Sequence, residues 1–99
     1  MENKNRAYVI KVDGSVIELG HQPTLSEAQV IVGGYVEQIP RILLTNKELV
    51  VFGDEDGKLE CKPVNVEASK LMQSHTQSLV GDVLVLKGWK SLRSNKYKE

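Results

Sequence analysis

The side chains suited to covalent or metal chemistry are few: Cys61, His21, His75, and the acidic run Asp54-Glu55-Asp56 with Glu60. A nucleophilic cysteine needs a base and a lowered pKa, supplied by a helix N-terminus or a nearby cation. Cys61 falls mid-strand in the local pattern and reads as a small buried side chain. His21 and His75 lie far apart in polar connectors, with no second ligand at metal spacing from either. The acids do not form a calcium loop, because counting back from Gly57 places Phe52 at the first ligand position. They read as a solvated turn. Gly33-Gly34 would let a phosphate approach the backbone. A dinucleotide fingerprint, however, needs a strand before its glycines and a helix after them, and here the order is reversed. Neither a serine elbow nor a P-loop pattern is present. The expectation is a protein without catalytic residues, metal or cofactor, and not an enzyme.

Two constellations remain as binding candidates. Tyr35 and Glu37 share a strand face beside the glycine pair, Asn65 opens a helix, and Gly81-Asp82 opens the last strand. An aromatic ring, an amide and backbone N–H groups at a helix start suit a small nucleotide-type ligand. Read singly, Asn65 is a helix cap and Glu37 a solvent-facing acid. The second constellation is the tail. Trp89, Arg93 and Tyr97 recur every four residues, with Lys90 and Lys96 among them. On a helix these residues form an aromatic and basic stripe for nucleic acid or an acidic protein surface. The plainer reading is a solubilising tail with Trp89 and Leu92 packed on the domain or on a partner subunit.

The elements that must position these residues follow from local pattern. Ala7–Val12 and Ser15–Leu19 flank Asp13-Gly14, the signal of a hairpin with a type I′ turn. Thr24-Leu25-Ser26-Glu27 reads as a capping box. It opens a helix over Leu25–Val32, with Leu25, Ala28, Ile31 and Val32 on one face and Gly33 as its left-handed end. Tyr35–Ile39 alternates as a strand limited by Pro40. Arg41–Leu44 is a further strand or an extended link. Leu49–Phe52 and Lys58–Val64 read as two strands about the acidic turn. Asn65 caps a second helix over Val66 to about Gln73, with Val66, Ala68, Leu71 and Met72 facing the core. Gly81–Leu86 is continuously apolar and is the best candidate for a central strand.

Ninety-nine residues make one domain with a small core. That core is aliphatic, since hydrophobic residues are 40% of the chain and aromatics only 5%. An oligomer would add burial, so a homo-oligomer is expected. Basic and acidic residues balance at 13 each, which argues against general affinity for nucleic acid or an acidic membrane. The charge is uneven: Glu48–Glu60 is acidic and Lys87–Glu99 is basic, so the two regions could attract one another. No run approaches bilayer length, and the single cysteine permits no internal disulfide. The expected location is the cytoplasm. The expected fold is α+β, a small mixed sheet of five to seven strands with two short helices covering one face. Its opening hairpin and helix are analogous to a β-grasp. Residues 1–6 read as a flexible N-terminus, 7–88 as the domain and 89–99 as a basic tail.

With the elements placed, the chain resembles a family catalogued as domain of unknown function 3846, common in phage, prophage and plasmid genes. Three blocks carry the resemblance: Val32-Gly33-Gly34-Tyr35-Val36-Glu37; Val50 to Leu59 followed by Pro63-Val64-Asn65 and Ala68; and Leu79 to Val85. They span roughly residues 30–86, leaving out the hairpin and the tail. Phe52-Gly53 and Lys62 depart from the pattern, standing where a polar residue and a small or apolar one are usual. The resemblance implies a mobile-element origin and a small cytoplasmic protein, and it carries no reaction. The function expected is therefore non-catalytic binding: sequestration of a nucleotide-type immune signal, or blocking of a host defence protein. A nucleic-acid accessory role through the tail is the alternative, and an enzyme a minor one.

Overall fold

The computed structural model describes residues 5–93. A five-stranded sheet is built from β1 (Arg6–Ile10), β2 (Val16–Glu18), β3 (Val36–Gln38), β4 (Leu49–Asp54) and β5 (Val83–Lys87), in the order β2-β1-β5-β4-β3. Every neighbouring pair is antiparallel, so the α+β expectation holds with an antiparallel rather than a mixed sheet. The β-grasp analogy goes no further than the opening hairpin and helix. The last strand lies at the centre, flanked by β1 and β4.

Two helices, α1 (Leu25–Val32) and α2 (Val66–Ser69), complete the fold. They sit over opposite faces, so the sheet is covered on both sides rather than one. On one face Ala7, Val9, Val50, Phe52, Leu84 and Leu86 meet α1 through Ala28, with Trp89 and Leu92 packed beside them. On the other, Ile10, Val51, Val83 and Val85 meet Ala68 of α2, Leu44, Met72 and Leu79. This two-sided burial is why β4 is buried along its whole length and β5 up to its last residue.

Local signals produced the elements they encode. The capping box of α1 is complete: Glu27 N–H donates to Thr24 Oγ1 at 3.1 Å, and Thr24 N–H donates to Glu27 Oε1 at 2.8 Å. Gly33 ends the helix in the left-handed region at φ 80°. The first hairpin forms, with a different turn. Only Gly14 has positive φ (92°), and Gly14 N–H donates to Lys11 O while Lys11 N–H donates to Ser15 O. The loop therefore has three residues, and Asp13 holds it by accepting from Ser15 N–H at 2.9 Å. Arg6, assigned to the flexible terminus, is already in β1.

Three local readings fail. Lys58–Val64 is no strand, because β4 already pairs with β3 on one edge and β5 on the other, leaving no edge for a return strand. The segment coils instead through Glu60 N–H to Asp56 O and Lys62 N–H to Gly57 O. Cys61 consequently lies exposed at φ 59° rather than buried mid-strand. Arg41–Leu43 is one turn of 3-10 helix rather than a strand, with Leu44 fully buried after it. The second helix has four residues and tightens into i→i+3 bonds at Leu71 and Met72, so Val66 faces solvent at 62% exposure instead of the core.

Candidate functional site

Strand β4 contains a glycine where strands disfavour one. Gly53 is directly opposite Glu37 of β3 in the antiparallel register. It needs no special backbone conformation, and a Cβ placed on it would meet nothing within 4 Å. The space above it is an open cleft of about 320 Å³ on the α2 side of the sheet. Ile39, Leu43, Met72 and Leu79 give it apolar walls, while Glu37, Glu55 and Lys58 supply charge. None of these three charged side chains has a hydrogen bond or ion pair with another described residue. By contrast Glu18, Glu27, Asp54, Glu60, Glu67 and Asp82 each meet a basic partner. The cleft is at the small end of the ordinary range for ligand pockets, about 300–1,000 Å³.

One end of this site is held by a contact between distant residues. Helix α1 has no base in its last turn. Lys62 supplies one from the coil after β4, donating from Nζ to Val32 O at 2.8 Å, where a cation complements the helix C-terminus. The same Nζ lies 2.5 Å from Asp54 Oδ2 and 3.7 Å from Glu60 Oε1. Asp54 Oδ2 has no other partner, so the ion pair alone satisfies it. Asp54 Oδ1 accepts from Asp56 N–H at 2.9 Å. Its carboxylate is 1% exposed. The Lys62 ammonium holds the Asp54 carboxyl below the usual carboxylate range, and Asp54 holds Lys62 above the usual lysine range. Gly34 faces this pair: a Cβ there would lie 2.8 Å from Asp54 Oδ1. The glycine pair thus has two separate causes, a left-handed helix end at Gly33 and a close carboxylate at Gly34. Neither is a phosphate cradle. Of the acids in the Asp54–Glu60 turn, Asp54 and Glu60 are met by Lys62, and no ion pair joins the turn to Lys87, Lys90 or Arg93 among the described residues.

The structure divides the residues singled out from sequence. Glu37 lines the cleft, and Tyr35 does not. Tyr35 lies just before β3, is 68% exposed, and borders a shallow groove with Gln29 and Val30 of α1. Asn65, Gly81 and Asp82 come together, but as a structural node rather than a ligand site. Asn65 is fully buried; its Nδ2 donates to Ile10 O at 2.8 Å and Gly81 O at 2.9 Å, and its Oδ1 accepts from Ala68 N–H at 3.0 Å. Gly81 N–H donates to Pro63 O, and Asp82 accepts from Val12 N–H and meets Lys11. The polar groups of Asn65 and Gly81 are thus spent within the fold, while the Asp82 side chain stays 29% exposed.

The start of the tail is not helical. Arg93 N–H donates to Pro23 O at 2.8 Å and Arg93 pairs in a parallel bridge with Thr24, which ties this segment to the loop before α1. Trp89 is half-buried against the sheet, while Lys90 and Arg93 are exposed. The four-residue stripe is therefore absent up to Arg93, and Lys96 and Tyr97 lie outside the described residues. Gly53, Glu55 and Lys58 are the cleft residues that sequence reading missed as a site. The one signal for them was Gly53 itself, a glycine at a family-pattern departure inside an apolar run.

Among the described residues no group of three or more His, Cys, Asp or Glu is arranged to hold a metal ion. No helix among them is long and apolar enough to cross a membrane. No curated protein and no solved structure matches the chain. A family model does, and it covers residues 1–96, taking in the first hairpin and most of the tail that the three sequence blocks left out. The chain belongs to the family described as Domain of unknown function (DUF3846).

Proposed function

We propose that this chain is a small non-catalytic binding protein whose ligand occupies the cleft over Gly53. One observation carries the reading: a buried strand interrupted by a glycine whose missing side chain opens the cleft floor. A strand glycine without a backbone requirement marks a place where another group comes close. The ligand class that suits the lining is nucleotide-type. Apolar walls accept a flat base, Glu37 and Glu55 accept hydrogen bonds from it, and Lys58 meets a phosphate. Two acids against one base disfavour a polyphosphate, so the ligand carries little negative charge. In the phage or plasmid setting implied by the resemblance, such a protein would act in the host cytoplasm by withdrawing a nucleotide signal from host defence.

The test is a thermal ligand screen run in parallel on the wild type and on Gly53→Val, which fills the cleft. A ligand at about 100 times its Kd stabilises by about 2.7 kcal/mol, several degrees in a domain of this size. Compounds that raise the wild-type Tm and leave Gly53→Val unmoved support the cleft. Shifts that persist unchanged in Gly53→Val refute it.

A second reading, self-association, is favoured by the outer face of α1. Val30 is 82% exposed and stands between two shallow grooves, one lined by Leu19 and Ile31, the other by Tyr35. A ridge beside a groove on one face is self-complementary about a two-fold axis. Light scattering on the wild type and Val30→Asp tests this; a wild-type monomer at high concentration ends it. With Trp89 turned to the sheet, a nucleic-acid contact at this end would rest, among the described residues, on Lys90 and Arg93.

A further inference from the structure

We propose that the cleft selects a guanine-type base and that Glu37 is the residue that reads it. The inference rests on the cleft being the ligand site. Register places Glu37 opposite Gly53, so its side chain rises beside the space the glycine leaves open. On the same face of β3 and its continuation, Ile39 points toward the core. The Glu37 carboxylate has no hydrogen-bond or ionic partner among the described residues.

An ionised carboxylate only accepts hydrogen bonds, and two parallel N–H donors satisfy both of its oxygens at once. Guanine presents such a pair on one edge, N1–H and the 2-amino group. Adenine and cytosine each place an acceptor nitrogen beside their amino donor, and that nitrogen would face the carboxylate lone pairs. Hypoxanthine keeps N1–H and lacks the amino group. The apolar walls at Ile39, Leu43, Met72 and Leu79 suit a neutral flat ring, which a small hydrophilic cation would not use. Lys58, also unpartnered, adds one cation for one phosphate. A guanosine monophosphate matches this set in its donors, and Lys58 offsets part of its phosphate charge.

Isothermal titration with GMP, IMP and AMP against the wild type, Glu37→Gln and Gly53→Val tests the assignment. GMP should bind tightest, with IMP about tenfold weaker for the one donor it lacks, and AMP weaker again. Glu37→Gln should weaken GMP about tenfold or more and leave AMP unchanged, because a hydrogen bond to a charged group is the interaction removed. Gly53→Val should bind none of the three while keeping the wild-type circular dichroism; Gly53→Ala, a smaller intrusion, should weaken all three. Equal affinity for the three nucleotides, or GMP binding indifferent to Glu37→Gln, overturns the guanine assignment and leaves the cleft reading intact. GMP binding undiminished in Gly53→Val removes both. Absence of heat with all three nucleotides also overturns the guanine assignment, and the cleft reading is then decided by the thermal screen alone.

Discussion

Asp54 and Lys62 make the contact whose loss should be easiest to measure. The ammonium beside it holds the Asp54 carboxyl low, so the pair's contribution to stability is complete above the unfolded-state value of about 4 and is lost as pH falls through the lower folded value. Lys62 works in the opposite sense. Its folded value is raised, so its share is complete below about pH 10 and is lost as pH rises through the folded value. Acid melts should therefore show a steeper loss of Tm below pH 4 in the wild type than in the double variant Asp54→Asn/Lys62→Met. Lys62→Met alone strands the carboxylate. It should cost about 2 kcal/mol in urea unfolding at pH 7, less than a deeply buried pair because Lys62 is 24% exposed. This pair was not legible in the sequence. Its partners are eight residues apart, but the third group, the carbonyl of Val32, is thirty residues from Lys62 and meets it only because the strand after Asp54 fails to form. Asn65 was half legible. Its role as a helix cap follows from its neighbours, whereas its bonds to Ile10 and Gly81 require the sheet. That second set of bonds is what removes it from the list of ligand contacts.

At the level of elements, the signals that worked were those satisfied within a few residues. The capping box at Thr24 and Glu27, the left-handed Gly33 and the hairpin about Gly14 all depend on short-range hydrogen bonds and φ angles. The failures depend on the sheet as a whole. Whether Lys58–Val64 pairs is decided by how many edges β4 has free, and alternation in the segment carries no information about that. Two glycines make the contrast testable. Gly53→Val adds a β-branched side chain to a strand with open space above it, so it should leave stability unchanged or raise it by about 0.5–1 kcal/mol in urea unfolding, even as it fills the cleft. Gly34→Ala enters a closed space against a carboxylate pinned by Lys62, and should lower stability by about 1–2 kcal/mol. Its cost should shrink in an Asp54→Ala background, a coupling that a double-mutant cycle in urea reads directly.

Across the whole molecule, Trp89 and Leu92 cross the sheet face beside α1, and Arg93 is bonded to the loop before that helix. Trp89 is the only tryptophan of the chain, so its fluorescence reports on this crossing alone. Thermal unfolding followed by Trp89 emission should coincide with unfolding followed by far-ultraviolet circular dichroism, as expected when the segment belongs to the same cooperative unit. An earlier emission transition would show it peeling off first. A family match over residues 1–96 agrees with this wider extent, and the central position of Val83–Leu86 was itself foreseeable from an unbroken apolar run. What the run could not indicate is the order of assembly that its position imposes. β5 is the last strand among the described residues, yet it separates β2-β1 from β4-β3. Before β5 is available, any pairing within the first hairpin or between β3 and β4 leaves inner edges with unmet hydrogen-bonding groups. They can be joined only when residue 87 has left the ribosome. Until then those edges are open to any other strand, and a free peptide carrying residues 81–93 should close the gap in a chain that stops before Gly81.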